Sequence, residues 1–184
     1  MSMFILIHQR LCKLNPFVWA SLWRMVAAGL FFLAMPAQAK VVFSGLVSHV
    51  TDGDTLWVKP ATGGGPYKLR IVGIDAPEIC QTNGPASRAA LAQWVLNKQV
   101  RVTVNRKDIY GRGLAELELN GNDVGALMVS SGHAWSYGWR GKPGPYASQE
   151  FAARENRRGF FAASALESPR DFRKRHGSCY AARR

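Results

Sequence analysis

The chain has 184 residues, room for one globular domain and little more, and 47% of them are apolar, which excludes a chain disordered by its composition. Its 24 Lys and Arg residues against 12 Asp and Glu give a formal net charge of +12. A field of that sign favours polyanions: nucleic acid, acidic polysaccharide or an anionic membrane.

Residues 1–39 read as a leader. Arg10, Lys13 and Arg24 precede an apolar run from Met25 to Met35 that is too short to span a bilayer comfortably. Pro36 ends the run and Ala37-Gln38-Ala39 follows, the small-x-small order of a secretory cleavage site. Cleavage is expected between Ala39 and Lys40, giving an exported protein, periplasmic or secreted, without membrane attachment. An uncleaved anchor is the competing reading, and the length of the leader is compatible with a start codon downstream of Met1. Cys12 departs with the leader. Cys80 and Cys179 remain, an even count in an oxidising compartment, so a disulfide between them is expected.

The mature chain then reads as a globular domain over residues 40–168 and a basic tail over 169–184. Val41–Val50 is a strand. Asp52-Gly53-Asp54 supplies turn chemistry before a second strand, Thr55–Lys59, and Pro60–Pro66 with its three glycines is a flexible loop. Tyr67–Ile74 is a third strand. Gly84-Pro85 opens a helix to about Asn97, with Ala89, Leu91, Ala92, Val95 and Leu96 near one face. Gln99–Asn105 and Arg112–Leu119 are the fourth and fifth strands. Gly121–Ser131 is a short helix, His133–Trp139 is extended, and Tyr146–Arg158 is a last amphipathic helix. Five short strands with interspersed helices suggest a small closed barrel of the five-stranded OB type, an α+β arrangement. The Arg- and Lys-rich tail reads as a mobile basic arm.

Four pieces carry chemistry: Asp52-Gly53-Asp54-Thr55, Arg70, Asp75-Ala76-Pro77-Glu78 and Tyr110-Gly111-Arg112-Gly113. Phosphodiester hydrolysis needs a hard cation against the phosphate, a base for water and cationic forks for charge developing on the phosphorus oxygens. Asp54 and Asp75 are candidate ligands for Ca²⁺, with Mg²⁺ the lesser alternative. The Ala76 carbonyl is a third donor, because Pro77 holds Ala76 extended. No Cys/His set has zinc spacing, and oxygen donors disfavour soft metals. Glu78 is the candidate general base. Arg70 and Arg112 are candidate phosphate clamps, since guanidinium forks match phosphate oxygens in pairs. Taken singly, each Asp could be a turn residue, Glu78 a solvated loop acid and either Arg a surface group. In a regular strand Arg70 and Asp75, five apart, face opposite sides. A bulge near Gly73 is therefore expected to bring Arg70, Asp75 and Glu78 to one site. The four histidines do not cluster with carboxylates, and no histidine catalysis is assigned.

Together these pieces resemble the thermonuclease, or staphylococcal nuclease-like, family. The likeness rests on Asp52–Thr55, Leu69–Glu78, Gly84–Ser87 and Asp108–Ala115, and extends over about residues 45–163. It implies an OB-type barrel, calcium on Asp54, Asp75 and the Ala76 carbonyl, Glu78 as general base, and Arg70 and Arg112 as transition-state arginines. It also implies a Tyr110 contact to substrate phosphate or sugar, and hydrolysis of DNA and RNA to 3′-phosphate ends. Three features depart from the family pattern. The Glu78–Gly84 loop is short and carries Cys80, so a stiffer loop is expected. Ile109 stands where a basic residue is common. Gly138 and Arg140 stand where two base-stacking aromatics would fall, leaving Tyr137, Trp139 or Trp135 as substitutes on an unpaired base. Trp135 could equally be a core aromatic. Single-stranded or frayed DNA and RNA are thus the expected partners of a monomer. The rival readings are a non-catalytic nucleic-acid or polyanion-binding barrel and an inactive interaction module. Binding by such a barrel would survive chelation and loss of Glu78.

Overall fold

The computed structural model describes residues 40–177 and Cys179. The expected leader, its cleavage site after Ala39 and most of the last eight residues lie outside them. In chain order the elements are β1 (Val41–Val50), β2 (Thr55–Pro60), β3 (Tyr67–Ile71), β4 (Ile74–Asp75), helix α1 (Gly84–Val95), β5 (Gln99–Lys107), β6 (Gly113–Leu119), β7 (Asn122–Asp123), α2 (Val124–Ser130), β8 (Trp135–Ser136), α3 (Ala147–Glu155), a 3₁₀ turn (Gly159–Ala162) and α4 (Pro169–His176). Among the described residues no helix is long and apolar enough to cross a membrane.

The main sheet runs β3-β2-β1-β5-β6-β7, and a parallel pairing of β3 with β6 closes its first five strands into a barrel. The fold is thus the expected five-stranded OB-type barrel with helices packed on it. Alternation along the strands fills its interior. Val47, Leu56, Val58, Leu69, Ile71, Val100, Val102, Ala115 and Leu117 are all at most 2% exposed. Closure removes the sheet edges that β3 and β6 would otherwise present.

Helix α1 packs against this core through Ser87, Ala90, Leu91 and Val95, a 3–4 spacing. That face differs from the expected one: Ala89 and Leu96 are exposed, because the stripe begins at the small residues Gly84 and Ser87. The helix stops at Val95, and Asn97 takes a positive φ of 59° on the way into β5. Gly121–Ser131 is not all helix. Asn122 and Asp123 pair with β6 first, and Asp123 then caps α2 by accepting from Ala126 N at 3.1 Å. A second cluster joins Ala153 of α3 to Phe160 and Phe161, with Trp135 stacked on Phe160 at 4.1 Å between ring centroids. Phe151 of α3 is 67% exposed.

Candidate active site

Barrel closure assembles the site. Register pairs Thr55 with Arg70 across β2 and β3, and the parallel β3–β6 contact pairs Leu69 with Gly113. Asp54 immediately precedes β2 and Arg112 immediately precedes β6, so three residues distant in sequence meet at one barrel rim. The Ile71 N–H donates to the Asp54 carbonyl at 2.8 Å, and Arg112 Nη1 donates to Thr55 Oγ1 at 3.4 Å.

The expected irregularity at Gly73 is present in a different form. The ladder is not bulged; it ends. Val72 N donates to the Ala115 carbonyl at 3.0 Å, Gly73 turns with φ +76°, and Ile74–Asp75 restart as β4 against Trp135–Ser136. A Cβ on Gly73 would lie 2.6 Å from Pro145 Cγ, so both the turn and the packing call for glycine. The turn returns Asp75 to the side of Arg70. Arg70 Nη1 lies 2.6 Å from Asp54 Oδ2, and Arg70 Nη2 donates to Asp75 Oδ1 at 3.0 Å. One guanidinium thus bridges two carboxylates that are 3% and 4% exposed. Burial alone would lower the Arg70 pKa; Asp54 and Asp75 outweigh it and hold the group charged.

Glu78 follows Pro77 into a short loop closed by Gln81 N to Glu78 O and Gly84 N to Gln81 O, each 2.8 Å. A Cβ on Gly84 would lie 1.9 Å from the Glu78 carbonyl, so α1 starts directly against this loop. Cys80 and Cys179 are disulfide-bonded, with Cα atoms 5.8 Å apart. The bridge and these two bonds tie the loop to the chain beyond α4 and to the start of α1.

A cleft of about 530 Å³ opens over these groups, lined by Asp52, Asp54, Lys68, Arg70, Ala76, Pro77, Glu78, Tyr110, Arg112 and Arg173. Tyr110 is 78% exposed, and the Arg112 guanidinium sits 5.5 Å from its ring centre. Asp108 orients Arg112, accepting from Nε at 2.8 Å and from its backbone N–H at 2.9 Å. Burial would raise the Asp108 pKa, but the Arg112 bonds and charge prevail and keep it below its ordinary 3.8. Arg112 is therefore aimed, with Nε held by Asp108 and Nη1 directed to Thr55 at the cleft wall.

Tyr137 and Trp139 do not line this cleft. They lie on the exposed segment after β8, joined to the Gly73 turn by Tyr137 N to Gly73 O at 2.8 Å. Trp135, partly buried, packs on the second cluster and stacks on Phe160.

Three participants escaped the sequence reading. Asp52, taken only as a turn residue, faces the cleft, and its pKa is pushed up from 3.8 to about 7 by burial first and then by the neighbouring Asp54 charge. Asp108 is the second. The third is Arg173. The segment read as a mobile basic arm is helical over Pro169–His176, and Arg173 reaches from it into the cleft. Its Nη2 donates to Asp75 Oδ2 at 3.0 Å, and its Nη1 donates to Asp75 Oδ1 at 3.1 Å and Glu78 Oε1 at 2.9 Å. One Arg among many in a basic tail carries no distinguishing local pattern. The expected disulfide was the available signal, since it ties Cys179, six residues on, to the Glu78 loop.

The donor set fits a hard cation. Carboxylates of Asp54 and Asp75 and the Ala76 carbonyl are oxygens, and the two carboxylates are buried at 3% and 4% exposure. Among the described residues no three His, Cys, Asp or Glu side chains group with metal-holding geometry. A cation here would draw on two carboxylates and the main chain, with water and substrate completing its shell.

Residues 68–163 match the family described as staphylococcal nuclease homologue. A micrococcal nuclease of Shigella flexneri is 32% identical over 166 residues, covering 84% of this chain and 93% of that protein. A protein named ParB from Escherichia coli is 35% identical over 133 residues, 67% of this chain and 73% of that one. A probable staphylococcal-like nuclease, CAN2, of Oryza sativa subsp. japonica is 34% identical over 108 residues, 59% of this chain and 29% of its own length.

Proposed function

This chain belongs to the staphylococcal nuclease family and is a phosphodiester nuclease, and from that premise we propose an exported, calcium-dependent enzyme that hydrolyses DNA and RNA. The supporting observation is the convergence of Asp54, Asp75, Glu78, Arg70 and Arg112 on one barrel rim.

In this reading Asp54, Asp75 and the Ala76 carbonyl hold calcium, which supplies a positive charge beside the scissile phosphate. Arg70 and Arg112 each offer paired N–H donors to the non-bridging oxygens, where charge grows as water adds. Glu78 accepts a proton from the attacking water. The new bond joins that water oxygen to phosphorus, the bond from phosphorus to the 5′ oxygen breaks, that oxygen takes a proton from solvent water, and the products are a 3′-phosphate and a 5′-hydroxyl end. Tyr110 contacts phosphate or sugar at the cleft mouth. Tyr137 and Trp139, outside the cleft, would reach only bases splayed from it, which suits single-stranded or frayed substrate. The Cys80–Cys179 bridge agrees with export to an oxidising compartment, and a monomer suffices because all five groups come from one chain.

A binding barrel without catalysis needs cations, not buried acids. Sequestering Asp54 and Asp75 is costly unless something positive meets them. The test is cleavage of DNA and RNA with Ca²⁺, Mg²⁺ and a chelator, beside Arg112→Ala. Calcium-supported cleavage, its loss on chelation and a roughly 10²–10³-fold fall in kcat for Arg112→Ala are expected. Wild-type inactivity in every metal would turn the assignment to the binding barrel.

A further inference from the structure

Helix α4 is fastened to the active-site loop at both ends. Before it, Gln81 Nε2 donates to the Glu167 carbonyl at 2.7 Å, while Gln81 Oε1 accepts from Glu78 N at 3.1 Å. Ser168 caps its first turn by accepting from Asp171 N at 3.1 Å. After it, Cys179 is bonded to Cys80, two residues from Glu78. Between these anchors Arg173 places both terminal nitrogens on Asp75 and one of them also on Glu78. Arg70 already takes Asp75 Oδ1, so both Asp75 oxygens are engaged by guanidinium groups.

Those oxygens are the ones a calcium ion would need. With Arg70 and Arg173 already on Asp75, a divalent cation competes with Arg173 for the remaining lone pairs and is repelled by its charge at that distance. Arginine also stays protonated at any physiological pH, so the contact is not relieved by titration. The tether keeps Arg173 at high local concentration beside its acids.

We propose that Arg173 is an intramolecular competitor for the divalent cation, a plug that α4 and the Cys80–Cys179 bridge hold against Asp75 and Glu78 until calcium displaces it from Asp75. This inference rests on the calcium reading above. It has two consequences. Calcium affinity in the absence of nucleic acid is set low by the plug, and by reciprocity calcium loosens α4. Nucleic acid, which brings its own phosphate charge to the cleft, offers the displaced guanidinium a new anionic partner. Breaking the disulfide lowers the local concentration of Arg173 and so acts in the same direction as removing it.

Calorimetric titration of Ca²⁺ without nucleic acid tests this on wild type, Arg173→Gln, Arg173→Lys and the Cys80→Ser/Cys179→Ser pair. Arg173→Gln is expected to bind calcium about tenfold more tightly than wild type, within the usual range of coupling between sites. The cysteine pair should shift the same way by less, and Arg173→Lys should stay near wild type. Equal or weaker binding by Arg173→Gln would overturn the plug while leaving the calcium site intact. No calcium uptake by any protein would overturn the site itself and the plug with it. Should Arg173→Gln fail to fold, amide exchange in wild-type α4 decides: faster exchange with calcium is expected, and unchanged exchange refutes the proposal.

Discussion

Asp52 shows how much of this site is decided by single charges. Burial, and then the charge of Asp54, push its carboxyl up from the ordinary 3.8 to about 7. The folded protein therefore keeps a proton there that the unfolded chain releases. The stabilisation is complete below pH 4 and is lost as pH rises toward 7, at most about 4 kcal/mol from this group. In chelator, wild type should lose stability relative to Asp52→Asn between pH 4.5 and 7.5, measured as denaturant midpoints. Parallel profiles for the two proteins would reject the assignment. Asp108 works in the opposite sense. Its depressed pKa contributes stability above the unfolded value that is lost as pH falls, so the acid limb of the profile belongs partly to the Asp108–Arg112 pair.

At the scale of elements, the turn at Gly73 does what the proposed bulge was meant to do. Strand parity made the mismatch between Arg70 and Asp75 legible, and glycine made its position legible. The form of the solution was not, because β4 exists only through its pairing with Trp135–Ser136, some sixty residues away. A side chain at Gly73 would face both φ +76° and Pro145 Cγ at 2.6 Å. Gly73→Ala should cost about 1–3 kcal/mol of stability and weaken the Arg70–Asp75 contact. Urea unfolding with activity measured on the folded fraction checks both, and an unchanged midpoint would contradict the turn. Helix faces were read less well than strands. Placing Ala89 and Leu96 inward followed the apolar residues, whereas the buried face of α1 is set by the small Gly84 and Ser87, the latter donating to the His133 carbonyl at 2.6 Å. Helix α4 was hidden for a related reason: it is too polar to show an apolar stripe, and what holds it is a disulfide, one amide and Arg173.

For the molecule as a whole, the barrel was legible because strand alternation and glycine-rich turns are local signals. The meeting of Asp54, Arg70 and Arg112 depends on closure through the parallel β3–β6 register, which no local pattern contains. It could be anticipated only from four motifs occurring in a known order. The same closure explains why a strongly basic chain concentrates acids at one rim: Arg70 lies in β3 and Asp75 in β4, while Asp54 and Arg112 stand at the entries to β2 and β6. The account stands on Glu78 acting on water at that rim and not merely bonding Arg173. Cleavage by Glu78→Gln in saturating calcium, with DNA binding followed by fluorescence anisotropy on the same samples, tests it most directly. The account predicts DNA binding close to wild type and a kcat lower by about 10²–10⁴-fold. Turnover by Glu78→Gln at the wild-type rate would contradict it.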